Sequence, residues 1–185
     1  MDITIISQRY AKALFDLALE MKKLERIKED VELVLSVTKE NPEFMRLLKS
    51  PTIPAGKKNT IIAAIFKGNL DELTFKFLQL VTRKEREVFL LDICLSFVKL
   101  YKVHHNIVSI KLTSSEKIDE ETRKSLIKLL SDDTNSVVDL TEEIDKSIIG
   151  GFVLTMDDKK YDASIKHQLE KLGKTFDKNL YIKGF

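Results

Sequence analysis

The residues of this chain that could carry out chemistry are few and lie far apart in the sequence. They are a single cysteine, Cys94, two adjacent histidines, His104 and His105, a double glycine at 150–151 and an acidic stretch, DLTEEID, at 139–145. Such residue types occur in thiol nucleophiles, metal sites, phosphate-binding loops and acid–base pairs. Each of these sites also needs partner groups at a defined spacing, so the neighbouring residues decide each case.

The cysteine and the histidines lack such partners. Because Cys94 is the only cysteine, the chain cannot form an internal disulfide or a thiolate zinc site. It lies among the apolar residues Leu90, Leu91, Leu95 and Phe97. We therefore predict that it is a small buried side chain. Adjacent residues of a helix point about 100° apart, so the two histidines do not share a metal, and we predict exposed residues at a helix end.

The double glycine and the acidic stretch also have simpler interpretations. Gly150 and Gly151 lack the spaced glycines and the Gly-Lys-Ser/Thr ending of a phosphate-binding loop, so they predict a bulge or a close backbone approach within a strand. No acid, base or nucleophile is paired with the carboxylates of the acidic stretch, which predicts a solvated strand end. Those carboxylates are Asp139, Glu142, Glu143 and Asp145. We expect no catalytic site, cofactor or metal, and therefore a protein that is not an enzyme.

The composition excludes several other classes of protein. The 185 residues are 43% hydrophobic and 32% charged, which is enough to bury a core, and the net charge is only +2. Because no concentrated positive region is present, we expect no binding to nucleic acid. The N-terminus lacks the basic start and the uninterrupted apolar run of a signal peptide, and no stretch of about 20 apolar residues is present, so we expect no direct insertion into a membrane. Only 6 Gly and 3 Pro favour helices over most of the length.

The periodicity changes from helical to strand-like near residue 106. Apolar residues recur at helical spacing from Ile3 to about His105 and predict six helices, the sixth spanning roughly 85–104. The segment IVSIKL then alternates, and the remaining pattern predicts strand, helix, strand, strand and helix, with DDKK as a turn and Asp162 capping the last helix. We therefore predict a multidomain chain, in which an all-α six-helix bundle at 1–105 is followed by a small α/β domain at 106–185.

Two of the six predicted helices have too little polar surface for an ordinary bundle helix. The first, around RYAKALFDLALE, has one narrow polar stripe formed by Arg9, Lys12, Asp16 and Glu20. The fifth has a similar stripe formed by Glu72, Lys76, Gln79 and Arg83. Either both helices are central and buried all round, or they lie side by side and leave an apolar groove for a partner's amphipathic helix. A small six-helix domain has few central positions, which favours the groove.

Four motifs resemble a known family, the delta subunit of bacterial F-type ATP synthase and its mitochondrial counterpart, the oligomycin-sensitivity-conferring protein. They occur in the family's order and are RYAKALFDLA at 9–18, SPTIPAGKK at 50–58, FLQLVTRKER at 77–86 and IDKSIIGGFVLTMDDKKYDASIKHQLEKL at 144–172. The chain departs from the family pattern in two loops. Glu85 stands where the family often has glycine, and Asp157-Asp158 stand in a turn that usually contains glycine.

The resemblance implies a mechanical function for the two domains. Such a subunit joins the catalytic alpha/beta head to the peripheral stalk, so that the head does not turn with the rotor during proton- or sodium-driven ATP synthesis. Its first and fifth helices would bind the N-terminal helix of an alpha subunit, and its second domain would bind the b subunits. Matching the family pattern to the two helices predicts a groove of seven residues: Tyr10, Ala13, Leu14, Leu17, Phe77, Leu80 and Val81.

The resemblance also carries expectations about location and partners. Met1 lies only eight residues before Arg9, which leaves no room for a transit peptide. We therefore expect a bacterial protein, peripheral on the cytoplasmic face of the cell membrane, that is a monomer when isolated. The alternative is an adaptor whose groove takes a helix of an unrelated regulatory partner. Neighbouring genes for ATP synthase subunits would argue against the adaptor, and nucleotide turnover would revive an enzymatic function.

Overall fold

The chain folds into two compact units, Met1–His104 and His105–Phe185. The structure is a computed structural model, and it describes residues 3–156 and 159–177. Each unit has its own cluster of buried apolar side chains. The first is helical and the second contains a four-stranded sheet with two helices.

The first unit is built from six α-helices around one core. The helices are α1 (Ile3–Glu20), α2 (Leu24–Glu40), α3 (Pro42–Lys49), α4 (Ala55–Phe66), α5 (Glu72–Arg83) and α6 (Leu90–His104). α1 and α2 pack mainly against α6, and α4 packs against α5. The sixth helix begins later than predicted, because a short 3₁₀ helix (Glu87–Phe89) replaces its first turn.

A buried ion pair joins the 3₁₀ helix to the neighbouring helices. Lys58 Nζ donates hydrogen bonds to Glu87 Oε1 at 2.6 Å and to the carbonyl oxygen of Leu48 at 2.7 Å. Both charged side chains are only 5% exposed. Because an unpaired buried charge is costly, each of these groups holds the other in place. The pair thereby ties the 3₁₀ helix to α4 and to the end of α3.

A second buried polar cluster fixes the beginning of α5. Asp30 Oδ2 accepts hydrogen bonds from the backbone N–H of Asp71 and the hydroxyl of Thr74, both at 2.8 Å. Asp71 is itself the N-cap of α5 and accepts from the N–H of Leu73 at 2.9 Å. A hydrogen bond from Lys23 lowers the pKa of Asp71. α5 is thus held to α2 and to the turn after α1 by charged groups.

The end of α5 has a backbone arrangement that glycine usually occupies. Arg86 N–H donates to the carbonyl of Val81 and Glu85 N–H donates to that of Thr82, both at 3.0 Å, which is the Schellman motif. Glu85 lies in the left-handed region, with φ of 55°. A side chain with a β-carbon is disfavoured there, so the departure from glycine at this position carries backbone strain.

We therefore expect Glu85→Gly to raise the free energy of unfolding by about 1 kcal/mol, by removing that strain. The measurement is the midpoint of urea denaturation of the purified chain. Lys12→Gly is the matched control, because it places glycine at an exposed right-handed position of α1 and should lower stability by about 1 kcal/mol. A lower midpoint for Glu85→Gly would show that the side chain of Glu85 stabilises this turn.

The second unit contains a mixed sheet with the strand order β2-β1-β3-β4. The strands are β1 (Ile107–Ser114), β2 (Val137–Ile144), β3 (Phe152–Met156) and β4 (Lys159–Asp162), and the helices are α7 (Glu120–Thr134) and α8 (Ile165–Asp177). β1 is parallel to β2 and antiparallel to β3. As the alternation predicts, Ile110 and Leu112 are buried while Ser109 and Lys111 face solvent. Leu140 completes the buried cluster.

The predicted order of elements missed β4. The strand predicted for 147–156 begins only at Phe152, and residues 159–160 of the predicted turn belong to β4, which pairs antiparallel with β3. Asp157 and Asp158 lie outside the described residues. Asp162 does not cap α8 directly. It accepts hydrogen bonds from the N–H and hydroxyl of Ser164, and Ser164 Oγ accepts from the N–H of His167 in the first turn.

Gly151 makes a close backbone approach, as predicted, but just before β3 and not within a strand. Its φ is 82°, and a β-carbon at this position would lie 2.4 Å from the carbonyl oxygen of Ala163. On either side of it, Ala163 N–H donates to Phe152 O and Ile165 N–H donates to Gly150 O, both at 3.0 Å. The glycine therefore allows the chain after β4 to pair with the chain before β3, at the point where α8 begins.

Candidate helix-binding groove

The cysteine and the two histidines, which could carry out chemistry, have structural roles. Cys94 is 5% exposed, as predicted, and burial raises the pKa of its thiol to about 12. A thiol with this pKa is a poor nucleophile at neutral pH. His104 and His105 are exposed at the end of α6, also as predicted, and the ring of His104 packs edge-on against Phe15. Among the described residues, no cluster of three metal-ligating side chains is present.

Three carboxylates of the acidic stretch have partners at the protein surface. Glu142 forms an ion pair with Arg123, in which Oε1 lies 2.8 Å from Nε. Glu143 forms an ion pair with Lys111 of the neighbouring strand. Asp145 accepts a hydrogen bond from the N–H of Ser147, which lowers the pKa of its carboxyl group. These contacts are typical of an exposed sheet surface and a turn, in agreement with the predicted solvated strand end.

α1 leaves an apolar stripe outside the core. The face that packs inward is fully covered and consists of Ala11, Leu14, Phe15 and Ala18. A second row of apolar side chains, spaced at i, i+4, i+7 and i+11, is exposed or half-buried and consists of Ile6, Tyr10, Ala13 and Leu17. The helix is therefore not buried all round, and one apolar side is open to a partner.

α5, like α1, has one buried face and one apolar row that is open to solvent. Its inward face consists of Thr74, Leu78, Val81 and Thr82, all buried. Beside that face lies a row spaced at i, i+4 and i+7, which is half-buried or exposed and consists of Leu73, Phe77 and Leu80. Leu80 is 48% exposed, a large fraction for a leucine in a helix that packs on α4. The predicted polar stripe lies further round the helix.

The two open stripes meet at an aromatic contact. The rings of Tyr10 and Phe77 pack edge to face, with their centroids 6.4 Å apart and their planes at 65°. Among the described residues, α1 and α5 otherwise lack the extensive backbone packing that joins α1 to α6. We call the surface formed by the two stripes the α1–α5 groove; it consists of Ile6, Tyr10, Ala13, Leu17, Leu73, Phe77 and Leu80.

Five of the seven residues predicted to line a groove lie on this surface, and two do not. Leu14 and Val81 are 1% and 0% exposed and point into the core, so they cannot contact a partner. Ile6 and Leu73 were missed, although each lies four residues before an aromatic residue of the groove. Helical spacing from Tyr10 and Phe77 would have found them.

One end of the groove opens into a depression with basic edges. It has a volume of about 400 Å³ and is lined by Ile6, Arg9, Tyr10, Ala13 and Arg86. Arg86 closes the Schellman motif at the end of α5 and lies beside Arg9 of α1 in this depression. Arg86 is the last residue of the motif FLQLVTRKER, but it was not among the predicted groove residues, because it lies outside both helices.

A model of the ATP synthase delta (OSCP) subunit family matches residues 6–176. The match includes both stripes of the groove and the whole described sheet. The chain belongs to this family. The resemblance drawn from the four motifs is therefore confirmed. Delta subunits are structural parts of ATP synthase and are not catalytic, which agrees with the expectation of a non-enzymatic protein.

Individual delta subunits are similar over nearly their whole length. That of Cytophaga hutchinsonii is 35% identical over 173 residues, covering 94% of each chain. That of Chlorobaculum tepidum is 33% identical over 172 residues, covering 93% of this chain and 95% of its own. A chain in the cryo-EM structure of the Toxoplasma gondii mitochondrial ATP synthase hexamer has the same fold. It is 21% identical, with a TM-score of 0.74, and the match covers 92% of this chain and 96% of that one.

The described part of the chain contains no helix that could span a membrane. None of the helices in the described residues is both long and apolar enough to cross a bilayer. Membrane association in this family is through the ATP synthase complex.

Proposed function

We propose that this chain is the connector of the F-type ATP synthase peripheral stalk. It joins the catalytic alpha/beta head to the b subunits, so that the head does not rotate with the rotor during ATP synthesis driven by protons or sodium ions. The observation that carries the proposal is the open α1–α5 groove in a chain of the delta family. The protein acts as a static clamp and performs no chemistry of its own.

The occupant of the groove is the N-terminal helix of an alpha subunit. An amphipathic helix presents apolar side chains every three or four residues, and the two stripes of the groove have the same spacing. Leu17 and Leu80 are 45% and 48% exposed, so docking a helix would remove much apolar surface from water. Full burial of an exposed leucine contributes about 1.5–3 kcal/mol, so burying the exposed half of each side chain contributes about half of that, and several together offset the cost of ordering a short helix.

The second unit binds the C-terminal helices of the b subunits. Support comes from α8, which leaves a row of apolar side chains exposed at i, i+4 and i+7: Ile165, Leu169 and Leu172. Among the described residues, none from α8 belongs to the apolar cluster of the sheet. A helix with a stripe of this kind is stabilised when another helix packs against it.

The proposed location follows from these partners. The chain is peripheral on the cytoplasmic face of the bacterial cell membrane and is held there by the complex. Isolated from the complex, it is a monomer.

Two titrations of the purified full-length chain test the proposal. A fluorescently labelled peptide with the N-terminal segment of the cognate alpha subunit is the first probe, and a peptide with the C-terminal segment of the b subunit is the second. We expect saturable binding of one copy of each, with neither peptide displacing the other. A folded chain that binds neither peptide would not be the stalk connector.

The role of α8 can be tested separately with Leu169→Asp. We expect binding of the b peptide to weaken at least about tenfold, because a charge in the centre of the stripe must be desolvated on docking, while the alpha peptide binds as before. Leu169 is 56% exposed, so the fold should tolerate the change. Glu170→Asp, one residue off the stripe, is the control. Unchanged b binding in Leu169→Asp would assign that contact to another surface.

A further inference from the structure

The charged residues along the α1–α5 groove are unevenly distributed. On α1, Arg9 lies beside the first half of the apolar stripe, and Asp16 and Glu20 lie beside the second half. All three side chains are exposed, and among the described residues none has a side-chain ion pair or hydrogen bond. Within α1 the charges are therefore basic in the first half, Arg9 and Lys12, and acidic in the second half, Asp16 and Glu20, while exposed Lys22 follows the helix. We call these two halves the basic end and the acidic end of the groove.

α5 runs antiparallel to α1 and contributes to the same polarity. Lys23, just after α1, contacts Asp71 at the start of α5 at 2.8 Å, while Arg86, just after α5, lines the same depression as Arg9 near the start of α1. The end of α5 therefore lies at the basic end of the groove. Arg83 in its last turn is exposed there as well.

The two arginines of the basic end have features of an anion subsite. Arg9 and Arg86 both line the depression, together with the apolar side chains Ile6, Tyr10 and Ala13. In the part of the chain that the structure describes, neither guanidinium has a carboxylate partner. Two unpaired guanidinium groups beside one apolar depression favour a carboxylate, which can accept hydrogen bonds from both.

We propose that the α1–α5 groove determines the direction in which its helix binds. In the bound helix a carboxylate lies against Arg9 and Arg86, and a basic side chain nearer its other end lies against Asp16 and Glu20. The inference rests on the proposed function, since the occupant is the N-terminal helix of an alpha subunit. The apolar stripes alone would accept a helix in either direction. Reversal would place like charges together at both ends, so the charges select one direction.

A charge-reversal titration tests the basic end. In the full-length chain, Arg9→Glu combined with Arg86→Glu should weaken binding of the alpha peptide about tenfold or more at low salt, with a smaller difference at high salt. Lys39→Glu combined with Lys49→Glu is the control, because it makes the same change in net charge at exposed sites on α2 and α3, outside the groove. An effect of equal size in the control would overturn the inference, because it would then reflect net charge alone.

A spin label measures the direction itself. Cys94 is buried, so a cysteine introduced by Gln8→Cys at the basic end is the exposed thiol available for labelling. We expect the label to broaden the NMR signals of the acidic end of an isotopically labelled alpha peptide. Broadening at its basic end, or equally along the peptide, would overturn the inference and leave the connector function standing. If the unmodified chain binds no alpha peptide, the proposed function fails first, so the two failures are distinguishable.

Discussion

Ala13→Trp is expected to weaken binding of the alpha peptide at least about a hundredfold, a loss of about 3 kcal/mol. Ala13 is exposed and lies between Tyr10 and Leu17 on the open stripe of α1. Its small side chain permits a second helix to approach closely, and an indole in the same place would occupy the space of the docked helix. Isothermal titration calorimetry of the full-length chain measures the change.

The same substitution elsewhere separates a blocked groove from a damaged fold. Ala64 is an exposed alanine of α4, outside the groove, and Ala64→Trp should leave binding unchanged. Because both alanines are exposed, both variants should melt close to the unmodified chain. Full-strength binding by Ala13→Trp would mean that the alpha helix docks on another surface, even though the family assignment would stand.

Gly151→Ala should produce the largest loss of stability in the second unit, about 2–4 kcal/mol. The added β-carbon would lie 2.4 Å from a backbone carbonyl oxygen, and φ at this position is 82°. Backbone atoms cannot move aside as a flexible side chain can. The pairing between the chain before β3 and the chain after β4 must therefore distort, and the start of α8 with it.

Thermal denaturation followed by hydrogen exchange would show where this loss occurs. Exchange should accelerate in β3 and β4, while the helices of the first unit stay protected and the alpha peptide still binds. Gly173→Ala is the matched control, because a β-carbon there meets no atom within 4 Å and alanine favours the helix. Equal stability of Gly151→Ala and the unmodified chain would show that this turn can rearrange at little cost.

The sequence predicts the helices well, because their signals are local. Low glycine and proline content and apolar residues at helical spacing lie within each element, and Asp71 and Asp119 act as caps through side-chain oxygens that accept N–H groups of the first turn. The groove was predicted only in part, because periodicity shows that a helix has two apolar sides but not which side faces the core. Leu14 and Val81 lie next to groove residues around their helices, and only the packing of the other helices shows that they are buried.

Features that depend on partners distant in sequence could not be predicted. β4 is a short edge strand of the sequence KKYD, which lacks apolar alternation, and it forms because β3 offers hydrogen bonds to it. Lys58, Glu87 and Asp30 look like residues of solvated helix faces, yet all three are buried. Their burial depends on contacts with residues from 10 to 44 positions away.

The two polar clusters at the ends of α5 have a mechanical consequence. Asp30 holds the beginning of α5, and the turn at its end leads directly into the 3₁₀ helix that the Lys58–Glu87 pair holds in place. Under a sideways load, α5 is a beam clamped at both ends, and such a beam bends far less than one clamped at a single end. In the proposed stalk connector, α5 would therefore transmit torque with little elastic deformation at the α1–α5 groove. The elastic compliance of the stalk would then reside in longer elements of the assembly that have fewer supporting contacts.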